Sequence, residues 1–161
     1  MSTRYETTED AIVARLLATE GEGETAVQSP FRAASVVNYG SQMTDAEILD
    51  EIEKLRNVAP SAMVFYSGSQ FSGTSVLDEV AEFAVIVIAS GVSKVGALRA
   101  DNGVYGLVEW AQRRLHNYRD DAGAIQNPLR IVRQTRLGEM GRPVTAAAIM
   151  LAFATAMDRT W

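Results

Sequence analysis

The chain has 161 residues, 47% of them apolar and 22% charged, a formal net charge of −5 and an isoelectric point near 4.9. These totals describe one globular domain over residues 1–161, large enough to bury a core without staples. The absence of cysteine excludes disulfides and thiolate metal sites, and the acidic balance argues against nucleic-acid binding as the main task.

The polar start "MSTRYETTED" lacks the apolar core of a signal peptide, and "FAVIVIA" is too short to span a membrane, so a cytosolic chain is expected. A first helix is predicted over 8–18, where Ile12, Val13, Leu16 and Leu17 form one apolar stripe behind Glu9 and Asp10. Gly21 ends it, "EGEGE" forms an acidic connection, and a weakly alternating strand follows over 31–37.

The second helix has the clearest local signal. "TDAE" sets Thr44 as the N-cap with Glu47 three residues on, and Ile48, Leu49, Ile52 and Leu55 share one face. An i,i+4 pair of Asp50 with Lys54 is expected on its outer side, and Pro60 lies beyond its end.

Two β segments follow, 62–66 and 80–89, rich in Val, Ile, Phe and Tyr. The stretch "YSGSQFSGTS" between them reads as a connecting loop in which Gly68 and Gly73 allow a mobile tip. A third helix is predicted over 101–119 from the spacing of Val104, Leu107, Val108, Ala111, Leu115 and Tyr118. Leu129 to Leu137 alternates arginines with apolar residues as a strand, and "GEMG" is a turn. The last run has alanines that favour a helix. Yet Ile149, Leu151, Phe153 and Met157 alternate against small residues, and a hairpin is the shortest connection, so a strand is predicted. The order α-β-α-β-β-α-β-β implies an α+β fold, an antiparallel or mixed sheet with amphipathic helices packed on one face.

Few residues of the chain point to chemistry. A phosphate loop needs a Lys and a following helix, and "GSQFSGTS" precedes a strand and has no Lys; the spacing of its glycines also fails the dinucleotide fingerprint. His116 is the only histidine, and a metal site wants companions. No "GxSxG" marks a nucleophile. "DEVAE" and "DAEILDEIE" read as solvated acidic faces. "RRLHNYR" joins Arg113, Arg114 and Arg119 to His116 and Tyr118: either a solvated helix end favoured by the dipole or a contact with an acidic face of a neighbouring subunit. No cofactor, metal or catalytic residue is expected.

Taken in order, "EDAIVARL", "PSAMVFYSGSQF", "EFAVIVIAS", "GVYGLVEWAQRRLHN" and "PLRIVRQTRL" resemble the tail terminator family of Mu-like tailed phages, over roughly residues 8–155. The resemblance implies a non-enzymatic virion protein that forms a ring, commonly a hexamer, on the head-proximal end of the tail tube. Such a ring stops the tube, and the sheath in a contractile tail, and joins them to head-completion (neck) proteins. DNA would only pass through its lumen. It implies assembly in the host cytoplasm, with no membrane partner. The final Ala-rich run and the "EGEGETAVQSPF" connection fit the pattern less closely.

A ring needs two different complementary surfaces. The acidic first two helices, and the arginines of the third helix and of "LRIVRQTRL", are candidates. Gly68, Ser69, Gln70 and Phe71 are expected to contact a neighbour or the tube, alongside Arg113, Arg114 and Arg119. The alternatives are another neck or head-tail completion protein, separable by its position in the virion, and a small α+β ligand-binding or enzymatic domain, which requires a polar pocket.

Overall fold

Thr3 opens the first helix. Its hydroxyl accepts the backbone N–H of Glu6, and the Glu6 carboxylate accepts that of Thr3, a reciprocal box that satisfies two orphan donors. The structure is a computed structural model that describes residues 3–38, 43–73, 78–89, 103–120, 125–137 and 147–157. This helix, α1, spans Arg4–Leu17. It starts a full turn earlier than the apolar stripe predicts, because the cap rather than the stripe decides where it begins.

The other described α-helices and strands are β1 (Val36–Asn38), α2 (Asp45–Leu55), β2 (Ser61–Ser72), β3 (Asp78–Ala89), α3 (Val104–Leu115), β4 (Arg130–Arg136) and β5 (Ala147–Met157). The chain is therefore α+β, and its described helices and strands follow the expected order. The five strands lie β1-β2-β3-β5-β4; β1 pairs with β2 in parallel and the remaining pairings are antiparallel, so the sheet is mixed.

Strand periodicity divides the apolar residues between two faces. On the front, Phe83, Val85 and Val87 of β3 and Ile149, Leu151 and Phe153 of β5 meet Ile12 and Leu16 of α1 and Leu107, Trp110 and Ala111 of α3. Phe83 and Phe153 lie directly opposite each other, both fully buried. Each such side chain contributes about 1.5–3 kcal/mol of burial. On the back, Met63, Ile86 and Ile88 are covered by Ile48, Leu49, Ile52 and Leu55 of α2. The expectation of helices on one face is thus corrected: α1 and α3 take the front and α2 the back. The near-continuous apolar run of β3 demands this, since both of its faces need cover.

Other expectations change in detail. The predicted strand over 31–37 shrinks to β1, because Ala33–Ser35 forms a 3-10 turn first. The third helix ends at Leu115 rather than 119, where His116 turns extended and Asn117 takes φ +62°. Lys54 pairs with Glu51 at 3.6 Å. The final run is a strand, since β3 and β4 flank it and use both of its edges. The expected "GEMG" turn and Pro143 lie outside the described residues.

The largest correction concerns "YSGSQFSGTS". Residues 66–72 are not a loop but the second half of β2, paired with β3 from Tyr66 opposite Phe83 to Ser72 opposite Asp78. A bulge between Tyr66 and Gly68 hid this from the pattern by shifting the alternation by one residue. Gly68 sits at φ +146°, a conformation that excludes other residues without strain.

Candidate functional site

The bulge extends the β2–β3 hairpin beyond the helix-covered core, and a polar lock holds this extension in place. Glu79 is only 3% exposed. It accepts hydrogen bonds from Tyr5 Oη (2.5 Å), Ser69 Oγ (2.6 Å) and Arg4 Nη2 (3.2 Å). Tyr66 Oη meets Ser69 Oγ at 2.5 Å, and its ring stacks on Tyr5 at 4.2 Å between centroids. The first turn of α1 is therefore fastened to the hairpin. Burial alone would raise the Glu79 pKa, but the hydrogen bonds from Ser69 and Tyr5 and the charge of Arg4 together lower it. The hydrogen bond to Glu79, then burial, pushes the Tyr5 phenol up to about 12.

One turn along α1, Glu9 performs a different task. Its Oε1 accepts the Tyr66 N–H at 2.8 Å, two residues past Val64, where the pairing with β1 ends. The carboxylate stands where the next β1 residue would stand. Burial raises its pKa against the lowering effect of the Tyr66 N–H. The opposite sheet edge has a matching device: His116 Nδ1 accepts the N–H of Ile131 on β4 at 3.2 Å. A bulge at Val132 and the exposed Arg130, Arg133 and Arg136 further mark β4 as a protected edge.

Beyond α2 the back of the sheet has no helix over it among the described residues. A cleft of about 410 Å³ opens there, lined by Gly68, Ser69, Gln70, Val80, Glu82, Val132 and Ala154. Gly68, Glu82, Ala154 and Arg130 form one cross-strand row, so small residues flank Glu82 and leave the space. Val80 (44% exposed) and Val132 (53%) stand at its walls, and Arg133 pairs with Glu82 at 3.3 Å. On the front of the same end, Phe71 is 59% exposed.

The residues expected to form a contact surface fall into two groups. Gly68, Ser69 and Gln70 line the cleft, the Ser69 hydroxyl also belongs to the lock, and Phe71 is exposed on the front. The arginines lie at the other end of α1, roughly 20 Å away for a helix of 14 residues. Arg113 is exposed, 3.5 Å from Glu20, and Arg119 is exposed beyond the helix end.

Arg114 is corrected: it is 4% exposed, and its Nη2 donates to Thr19 O at 3.3 Å beside the Trp110 ring. Burial, then the nearby Arg15, lowers its pKa. It finishes the C-terminal end of α1 together with Trp110 Nε1, which donates to Leu16 O at 3.0 Å. The spacing of "RRLHNYR" could have shown this, because Arg114 follows Leu107 and Ala111 on the buried face.

Sequence reasoning missed Glu79, Tyr5 and Arg4 and read "DEVAE" as a solvated face. The available signal was period two: Glu79 is in phase with Ala81, Phe83 and Val85, hence on the core side.

No helix among the described residues is long and apolar enough to cross a membrane. No family model matches the chain, and no curated protein matches it either.

Proposed function

We infer that the chain is a virion structural protein, a tail terminator whose copies close into a ring, commonly six-fold, on the head-proximal end of a phage tail tube. The observation that carries this reading is the distal end of the sheet, where a locked hairpin presents exposed apolar side chains on both faces. A monomer gains nothing from Val80 and Val132 in water, whereas a subunit buries them. The charge layout supports it as well. Asp45, Glu47 and Asp50 lie on the exposed side of α2, while Arg130, Arg133, Arg136 and Arg113 lie on β4 and α3, and a head-to-tail ring joins unlike surfaces.

In this reading the chain has no catalytic role and no cofactor. Its partners are its own copies, the tube protein, the sheath protein where the tail contracts, and a head-completion protein. DNA passes through the lumen only. The chain assembles in the host cytoplasm and resides in the virion.

Deleting the gene tests this: tails are expected to be overlong or unstable and to lack heads. Tails of normal length, joined to heads, would contradict it. A place on the portal side of the neck instead would identify a head-completion protein.

A further inference from the structure

The β1–β2 ladder stops just short of the bulge, and a side chain rather than a strand finishes it. Asn38 is the last residue of β1 to pair, opposite Val64, and the bulge follows Tyr66. The Tyr66 N–H points outward, away from β3, to Glu9 Oε1 at 2.8 Å. Backbone direction alternates along a strand, so the Val64 carbonyl points outward as well. In a parallel ladder one edge residue accepts the N–H of the residue beyond it and donates its own N–H to the carbonyl before it. The Glu9 carboxyl occupies the position of that edge residue.

We propose that Glu9 is a proton-operated clasp: as the neutral acid it accepts from the Tyr66 N–H and donates to the Val64 carbonyl, and its ionisation opens the contact. A protonated carboxyl carries a donor beside its acceptor, as a peptide unit does, whereas a carboxylate has acceptors only. The ionised form would turn an oxygen on the Val64 carbonyl in a buried place, where unmatched polar groups are costly. The clasp ties α1 to the start of the distal extension of the sheet. Its opening frees the Tyr66 N–H where that extension begins.

The surroundings favour the neutral form. Glu9 is buried, and no cation pairs with it among the described residues. On its own helix the flanking charges are Glu6 and Asp10, both acidic; Asp10 Oδ1 accepts from Asn38 Nδ2 at 2.5 Å. The cations of α1 are engaged elsewhere, Arg4 with Glu79 at 3.2 Å and Arg15 over the Tyr118 ring. β1 brings Val36, Val37 and Asn38, none of which titrates; β2 brings Tyr66, and β3 brings Glu79, already held in the lock. From α3, Trp110 and Arg114 reach the far end of α1. Burial raises the Glu9 pKa, the Tyr66 N–H lowers it, and Asp10 and Glu6 raise it again, for a net rise. A raised value makes the contribution full below the ordinary carboxylate range and lost as pH rises through it. The clasp is therefore closed in acid and opens upward.

NMR of the full chain with isotope-labelled glutamate carboxyls, assigned through their backbone resonances, tests this together with amide hydrogen exchange. Glu9 is expected to titrate above the ordinary carboxylate range. Across that step the protection factor of the Tyr66 amide should fall at least tenfold, while those of Ile86 and Val87 in the core of β3 hold. In Glu9→Gln the side-chain amide offers an acceptor and a donor at every pH, so Tyr66 should stay protected throughout. Titration of Glu9 within or below the ordinary range would overturn the proposal, as would unchanged Tyr66 protection across the step. Loss of Tyr66 protection in a folded Glu9→Gln chain would overturn it as well, since the peptide-like pairing would then not hold the edge.

Discussion

The back of the sheet has two halves made by the same strands and finished differently. Around Met63, Ile86 and Ile88 it bears large side chains, all fully buried under α2. Past the bulge, the same face bears Gly68, Gln70, Val80, Glu82 and Ala154 around an open cleft. The covered half is core. The open half is ordered by the lock on its other face, with no helix packed over it among the described residues, which is the arrangement expected of a surface kept for a partner.

Breaking the covered half should cost the most. Ile52→Ala or Ile86→Ala removes a fully buried side chain and should destabilise by about 2–5 kcal/mol in urea unfolding, with an unchanged slope. Next comes the lock: Glu79→Gln leaves Tyr5, Ser69 and Arg4 facing an amide and should cost about 2–3 kcal/mol.

The two buried glutamates should then separate by pH. The Glu79 pKa is lowered in the fold, so its contribution is present above the ordinary carboxylate range and lost as pH falls through the lowered value. Glu79→Gln should therefore flatten the acid side of the stability profile. Glu9 has a raised pKa, so its contribution is full below the ordinary range and lost as pH rises through the raised value. Glu9→Gln keeps an acceptor for the Tyr66 N–H without a buried charge. It should stabilise by up to about 1 kcal/mol at neutral pH and by less in acid. Denaturant midpoints measured across pH check both signs.

The smallest change belongs to the open half. Val80→Ala or Val132→Ala should shift stability by less than about 0.5 kcal/mol, against the larger loss at Ile86 on the same face. A loss comparable to that of Ile86 would show that the cleft is core and would erase the distinction.

Much of this fold was legible in the residues. The Thr44 cap, the apolar face of α2 and the alternation of Ile149, Leu151 and Phe153 each report a local rule that tertiary packing then keeps. The hairpin extension was not, because one extra residue at Ser67 breaks the period on which strand reading depends. The place of α2 was not either, since an amphipathic helix declares that it covers a surface but not which one. The candidate site was read in part: Phe71 and Gln70 were singled out as exposed, but as the tip of a loop. The cleft beside them joins residues from β2, β3, β4 and β5 that only the strand order brings together. Arg114 shows the converse, a charge that reads as surface yet closes the end of a helix inside the fold.

The most direct test of the account is electron microscopy of tail tubes assembled without this chain, before and after the purified chain is added. The account predicts a closed ring of copies on one end of each tube, with no further growth there. Bare tube ends that keep elongating beside a monomeric chain would contradict it.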